Sequence, residues 1–395
     1  MPSLVPGAKE SDSQLAALSH NGERHVADKP KERPTITRQP LIPNLTNSRL
    51  MRTTVCIAIA FVGGLTAAVL SLPLPYMLGA IAASMFAAMV GVPIERPSFA
   101  FVSPMRVILG VLLGSAITPE LIERMDAVAG SAALVPLYVM ISAIIGTYFY
   151  ERVAGYSREE AYFCALPGGL HVMTMYAEER GIDIRRVALA HALRITSVVI
   201  LATIVTSLIT DLPRISVSDA TVSITEVDLG DFGLLTIAGL VGWLIGRQTG
   251  MPGAQMVMPM MCSAALHITG ITSAKPPAEL IIAAQVILGA NIGSRFVGQK
   301  VDLLIVAMGH ALAHVSLMLC VAAGCAVVLN LAFGLPILTG LLSFSPGGMS
   351  EIGLIALALG LDVGVVATIQ LCRLMSINLL GPFVLRQIGW LLKSH

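Results

Sequence analysis

Residues 345–362 read SPGGMSEIGLIALALGLD, a helix breaker and two glycines followed by Ser350 and Glu351 inside an otherwise apolar segment. Whether this segment crosses a membrane or dips in and returns decides the fold. Proline lacks an N–H and clashes with the preceding turn, and glycine exposes backbone, so Pro346-Gly347-Gly348 interrupts a helix. The apolar run resumes for about three turns and stops at Gly360, a residue type common at helix C-termini. The pattern predicts a short half-helix that begins at the Pro-Gly-Gly turn. Irregular backbone at membrane depth is tolerated only where protein buries it or a polar cavity solvates it.

That this is a membrane setting follows from composition. Of 395 residues, 55% are hydrophobic and 12% charged, with 25 basic against 24 acidic side chains, and the mean hydropathy is +0.80. Such a chain has too little charged surface to cover a water-soluble body of its size. Its apolar runs are long and unalternating, which predicts an all-α polytopic membrane protein rather than a barrel. Residues 1–50 differ: they are rich in Ser, Pro, Asn, Lys and Arg, and are expected to form a disordered basic tail. The six cysteines (Cys56, Cys164, Cys262, Cys320, Cys325, Cys372) lie in apolar segments without a CxxC pair and read as small core residues.

The same turn occurs twice. A shift of the chain that lays Val107 on Val286 sets VILGVLLGS (107–115) on VILGANIGS (286–294), with six identities in nine positions. Without a gap, the shift sets Pro167, Gly168 and Gly169 on Pro346, Gly347 and Gly348. It also sets Gly181 on Gly360, Asp183 on Asp362 and Arg194 on Arg373. The chain reads as two tandem copies, 51–210 and 232–395, joined by an acidic loop over 211–231. Each copy holds six apolar elements, near 53–71, 74–91, 99–117, 127–150, 161–178 and 187–210 in the first, and 232–249, 252–270, 278–296, 304–330, 335–357 and 366–390 in the second.

Charge discriminates between the two topologies, because Lys and Arg accumulate on cytoplasmic loops. With the basic tail inside and the fifth element returning to its own side, only Arg124, Arg214 and Lys275 fall outside. If that element spans, seven basic residues fall outside: Arg124, Arg180, Arg185, Arg186, Arg247, Arg295 and Lys300. The charge pattern therefore predicts two inverted-topology repeats, each with about five spanning helices and one re-entrant half-helix, and both termini cytoplasmic.

A duplicated unit with a Pro-Gly-Gly turn, then Gly-x-Asp (Gly181 to Asp183, Gly360 to Asp362), then an arginine in the next helix (Arg194, Arg373) resembles the AbrB-family membrane proteins of bacteria. The resemblance runs from residue 50 to the end. It implies a multi-pass inner-membrane protein that works as a transporter, with a link to regulation of gene expression. Many family members carry the label of an ammonia monooxygenase. The resemblance supplies no substrate.

Charged groups inside a membrane are costly enough to be functional or paired. Arg194 and Arg373 sit about two turns inside their helices. Together with the N–H groups freed at Pro167-Gly168-Gly169 and Pro346-Gly347-Gly348, they predict a site for a small organic anion, with His171 and Ser350 beside the two turns. The bland alternative pairs each arginine with Asp183 or Asp362 of its own unit. The copies diverge at Ser350-Glu351, where the first has His171-Val172. Glu351 is thus a candidate to carry a coupling Na⁺ or H⁺, with Asp183, Asp362 and Asn291 as further candidates; alternatively it neutralises the arginines. His171 and His191 are alternative proton carriers.

Two rival classes remain. A metal-dependent monooxygenase would use His310 and His314, which face one way at i and i+4, but the first copy has Ser131 and Val135 there. A membrane regulator or sensor would act through the basic tail. No nucleotide loop or nucleophile arrangement is visible. No enzymatic activity, cofactor or nucleic-acid partner is expected; the expected partners are the anion, its coupling ion, the bilayer and further copies of the chain.

Overall fold

The computed structural model describes residues 48–72, 74–166, 173, 177–209, 222–249, 251 and 253–392, and among these there is no strand. The first turn (Pro167, Gly168, Gly169, with His171), most of the expected tail and most of the acidic loop lie outside the described residues. The first helices are α1 (Arg49–Val69), α2 (Pro75–Val90), α3 (Phe99–Ser115), α4 (Met125–Arg152), α5 (Arg158–Ala165) and α6 (Ile184–Ile209). There follow α7 (Leu229–Thr249), α8 (Ala254–Ile268), α9 (Ala278–Gly293), α10 (Val301–Phe333), α11 (Ile337–Phe344), α12 (Met349–Ala358) and α13 (Val363–Leu392). Helix α7 starts within the stretch expected as external loop, so Asp231 belongs to its first turn.

Burial is arranged as lipid requires. Leu137, Met140 and Ile144 of α4, Ile237, Leu240 and Leu244 of α7, and Ile305, Val306 and Leu331 of α10 are exposed. Arg194, Arg373, His191, His314, Gln285 and Glu351 are buried. In water both sets would be misplaced; in a bilayer the apolar faces meet acyl chains. Among the described residues, four helices are long and apolar enough to cross a membrane: α1, residues 126–152 of α4, α7 and α10. Helices α2, α3, α8 and α12, with Val363–Ile377 of α13, are shorter apolar helices. This is the architecture of a multi-pass, all-α membrane protein.

Helix bounds recur along the chain. The shift that lays Val107 on Val286 also lays both ends of α5 on both ends of α11, and the starts of α2, α3 and α6 on those of α8, α9 and α13. Close contacts recur too. Gly110 and Gly114 bring α3 onto Met256, Met260 and Ser263 of α8, while Gly289 and Gly293 bring α9 onto Met77, Ile81 and Ser84 of α2. Helix α4 packs on α13, and α10 on α6. In each case an element of one half meets the other half through matching positions, as two-fold related surfaces do.

The fifth apolar element of the second half is broken. Helix α11 stops at Phe344, residues 345–348 are non-helical, and α12 begins after Gly348. Helix α12 ends where expected: Gly360 has φ +62°, its N–H donates to the Leu357 carbonyl, and the Leu361 N–H donates to the Ala356 carbonyl at 2.9 Å. The same closure occurs at Gly181, with φ +70° and Ile182 N–H donating to Ala177 O. Asp183 and Asp362 then cap the next helices, accepting from the backbone N–H of Arg185 and Val365.

Both ends of the broken segment meet the same end of α4. The Phe333 ring lies against Gly130, and Asp362 pairs with Arg124 at 3.4 Å. At the opposite end of α4, Arg186 at the start of α6 pairs with Glu160 at 3.6 Å and lies over the Tyr156 ring, joining the start of α5 to the start of α6. A 28-residue helix is about 42 Å long, so helix α5 and the broken segment of the second half approach α4 from ends that far apart. Their tips meet its interior: Phe344 packs edge-on to Tyr138 with centroids 5.3 Å apart, and Ala165 lies against Gly146.

Candidate functional site

A short helix that stops inside a protein leaves its last carbonyls without intrahelical partners. Four side chains satisfy them here. His191 Nε2 lies 2.9 Å from Phe163 O, and Arg194 Nη1 donates to Leu166 O at 2.8 Å. In the second half, Gln370 Nε2 donates to Leu342 O and Ser343 O at 3.0 Å each, and Arg373 donates from both terminal nitrogens, to Ser345 O and Gly347 O. Donors and acceptors obey the same shift: His191 matches Gln370, Arg194 matches Arg373, Phe163 matches Leu342 and Leu166 matches Ser345. A cation at a helix C-terminus also complements the negative end of the dipole. Both arginines thus bond the carbonyl ends of α5 and α11, whereas the sequence suggested that they stand beside the freed N–H groups of the turns.

The remaining candidates divide. Pro346, Gly347 and Gly348 lie with Arg373 in the break. Ser350 Oγ donates to Glu351 at 2.9 Å, and the Glu351 carboxylate folds back over Gly348, which explains why a side chain is excluded there. Glu351 faces Arg106 of α3 electrostatically and is absent from the ion pairs of the arginines in the break. Asp183 and Asp362 sit at helix starts, paired with Arg186 and Arg124, away from Arg194 and Arg373. Asn291 accepts from Arg96 Nε at 2.7 Å.

Polar residues that the sequence did not single out complete the core. Tyr138 and Ser142 follow each other at i and i+4 on α4, and Tyr150 lies two turns beyond. Among the described residues, the hydroxyls of Tyr138 and Ser142 have no partner but each other, and that of Tyr150 is buried without any. The same holds for His191 Nδ1, both ring nitrogens of His314 and Ser345 Oγ. The His314 ring lies 4.9 Å from that of Tyr150, and Tyr138 feels the charges of Arg373 and Arg194. The second half has Leu317, Val321 and Leu329 where α4 has its hydroxyls, a contrast that could have marked them in the sequence. At the α4 N-terminal end a cavity of about 450 Å³ is lined by Ser115, Thr118, Lys275, Gly360 and Asp362.

A family model described as "Transition state regulatory protein AbrB" matches residues 76–389. The chain belongs to the AbrB family. It is 26% identical over 321 residues to "Putative regulator AbrB" of Escherichia coli K12, a match covering 80% of this chain and 91% of that protein. It is 23% identical over 359 residues to "Uncharacterized protein YhjN" of Bacillus subtilis 168, covering 83% of this chain and 91% of that protein. The AbrB match contains the break at 345–348, both core arginines and the α4 hydroxyls.

Proposed function

We propose that this AbrB-family protein is a secondary transporter of a small organic anion, a carboxylate or a sulfonate, across the bacterial inner membrane, and that it acts without enzymatic turnover. The observation that carries this reading is Arg373: a permanently charged guanidinium in the interior of an apolar bundle, with no carboxylate at ion-pair distance among the described residues. It has five N–H donors, lies close enough to Tyr138 to interact with it electrostatically, and bonds the carbonyl of Ser345, whose hydroxyl is buried without a partner among the described residues. Donors clustered with positive charge in a low-dielectric interior favour an oxyanion. Ser350-Glu351 is the coupling position for Na⁺ or H⁺, beside the same break.

The inverted-repeat arrangement belongs to this proposal. It is supported by the matching helix bounds, the exchanged helix pairs and the approach of α5 and of the break at 345–348 from opposite ends of α4. The charge pattern supports cytoplasmic termini. The monooxygenase alternative is less well supported: His314 is enclosed by Phe149 and Tyr150, while its partner in the sequence motif, His310, is only half-buried.

The test is a thermal-shift screen of small carboxylates and sulfonates on the purified protein. At a ligand concentration about 100 times Kd, stabilisation of about 2.7 kcal/mol is expected, largely lost in Arg194→Lys and Arg373→Lys, which cannot form a bidentate fork. Equal shifts in all three proteins would refute the anion site.

The name carried by the Escherichia coli relative favours a second role, in regulation, for which the basic tail is the candidate element. Deleting residues 1–48 is expected to leave the anion response intact and to remove any regulatory phenotype. Unchanged gene expression after the deletion would eliminate that role.

A further inference from the structure

Three arginines gather at the end of the molecule opposite the cavity beside Lys275. Arg96, in the connection from α2 to α3, bonds Asn291 in the last turn of α9. Arg295 follows one turn after Asn291, in the short 3₁₀ segment Ser294–Phe296. Arg106, two turns into α3, is close enough to both that the three guanidinium groups repel one another. Arg106 and Arg295 are half-buried, and among the described residues neither has a hydrogen-bond or ion-pair partner. The nearby carboxylate of Glu95 pairs with Arg49 at 3.6 Å, which leaves Glu351, facing Arg106, as the counter-charge.

The correspondence between the two halves gives this cluster a second, geometric support. It sets Arg96 on Lys275, Arg295 on Ala116 and Asn291 on Leu112, and all three counterparts line the cavity at the other end of the molecule. At this end the matching positions carry arginine where the cavity lining carries Ala116. Three like charges held together, two of them half-buried, with one facing carboxylate are destabilising unless an anion of more than one charge joins them.

We propose that Arg96, Arg106 and Arg295 form a binding site for a phosphate group, from a soluble phosphate compound or from the headgroup of an anionic phospholipid. The guanidinium forks match phosphate oxygens. Exposed Phe86, Phe99 and Val297 on the neighbouring helix ends give acyl chains a surface beside it. The site meets the one around Arg373 only through Glu351 and stands whether or not that site transports anything.

The test uses the full-length protein in phosphatidylcholine nanodiscs, without anion, with inorganic phosphate, and with phosphatidylglycerol added to the bilayer. Expected for wild type is a rise in unfolding temperature with phosphate if the source is soluble, or with phosphatidylglycerol alone if it is the lipid. Arg106→Gln and Arg295→Gln should weaken the response about tenfold. Arg295→Gln should also unfold at a higher temperature than wild type in phosphatidylcholine alone, because one repelling charge is gone and no carboxylate loses a partner. Arg295→Lys keeps the charge but not the planar fork and should keep part of the response. Failure of both additions to stabilise wild type would overturn the proposal, as would equal responses in wild type and the Gln variants. An Arg295→Gln variant less stable than wild type without anion would overturn it too, by assigning that arginine a structural role. An Arg373→Lys variant should respond to phosphate or phosphatidylglycerol as wild type does, which keeps the two sites distinguishable.

Discussion

Arg373→Ala is expected to destabilise the folded protein by about 1–3 kcal/mol, the cost of a buried acceptor without a partner, because the Gly347 carbonyl loses its donor while the Ser345 carbonyl keeps a longer bond from Gln370 Nε2 at 3.4 Å. The loss falls in the break itself, at Gly347, since Gln370 already donates to Leu342, Ser343 and Ser345. Arg373→Lys should lie between the two, since an ammonium keeps the charge but cannot span both carbonyls with a planar fork. Unfolding curves of the three proteins in the same detergent measure this. An alanine variant as stable as wild type would mean that the break is held by packing alone, with Gly347 wedged between Ile352 and Val198.

The second large effect is steric. Gly114→Leu should prevent the normal seating of α3 on α8, because even a Cβ at this position would lie 2.7 Å from Ser263 Cβ and 3.0 Å from the Ala264 nitrogen. Overpacking of a buried contact costs about 1–3 kcal/mol, occasionally more, and here backbone as well as side chain would have to move. Gly293→Leu should act equally strongly through α2, where a Cβ would lie 2.6 Å from the Ile81 carbonyl. Gly309→Ala and Gly324→Ala on α10 are the controls. Neither position has an atom within 4 Å of a new Cβ, and a helix-interior alanine is favoured over glycine by about 0.5–1 kcal/mol. Yield of monodisperse protein and its unfolding midpoint decide the matter. Gly114→Leu behaving like the α10 controls would show that α3 and α8 do not need this approach.

What a sequence can reveal depends on how local each cause is. The break at Pro346-Gly347-Gly348 and the closure at Gly360 are legible because proline and glycine act on their own backbone. The constant offset between the halves is legible because identical residues recur at one spacing, and it foretells which helix bounds match. The partners of Arg194 and Arg373 are not legible. Leu166 and Ser345 belong to the preceding helical element, well away along the chain, and a backbone carbonyl carries no side-chain signature. A carboxylate in the same unit looks like the natural partner, yet Asp183 and Asp362 cap helices instead. Asn291 likewise gives no hint of Arg96, which the fold brings to it from the other half. The α4 hydroxyls escape notice because a lone Tyr or Ser in an apolar helix is ordinary; apart from the contrast with Leu317, Val321 and Leu329 in the second half, only their burial sets them apart.

One matched position gives the core a chemical asymmetry. His191 and Gln370 hold equivalent carbonyls, and a carbonyl can only accept, so the proton of a neutral His191 sits on Nε2. That tautomer turns a lone pair on Nδ1 toward the interior, an acceptor among donors. Taking up a proton would convert it into one more donor with a full positive charge. The amide of Gln370 has no such second state, so of this matched pair only the member from the first half has a second protonation state to offer.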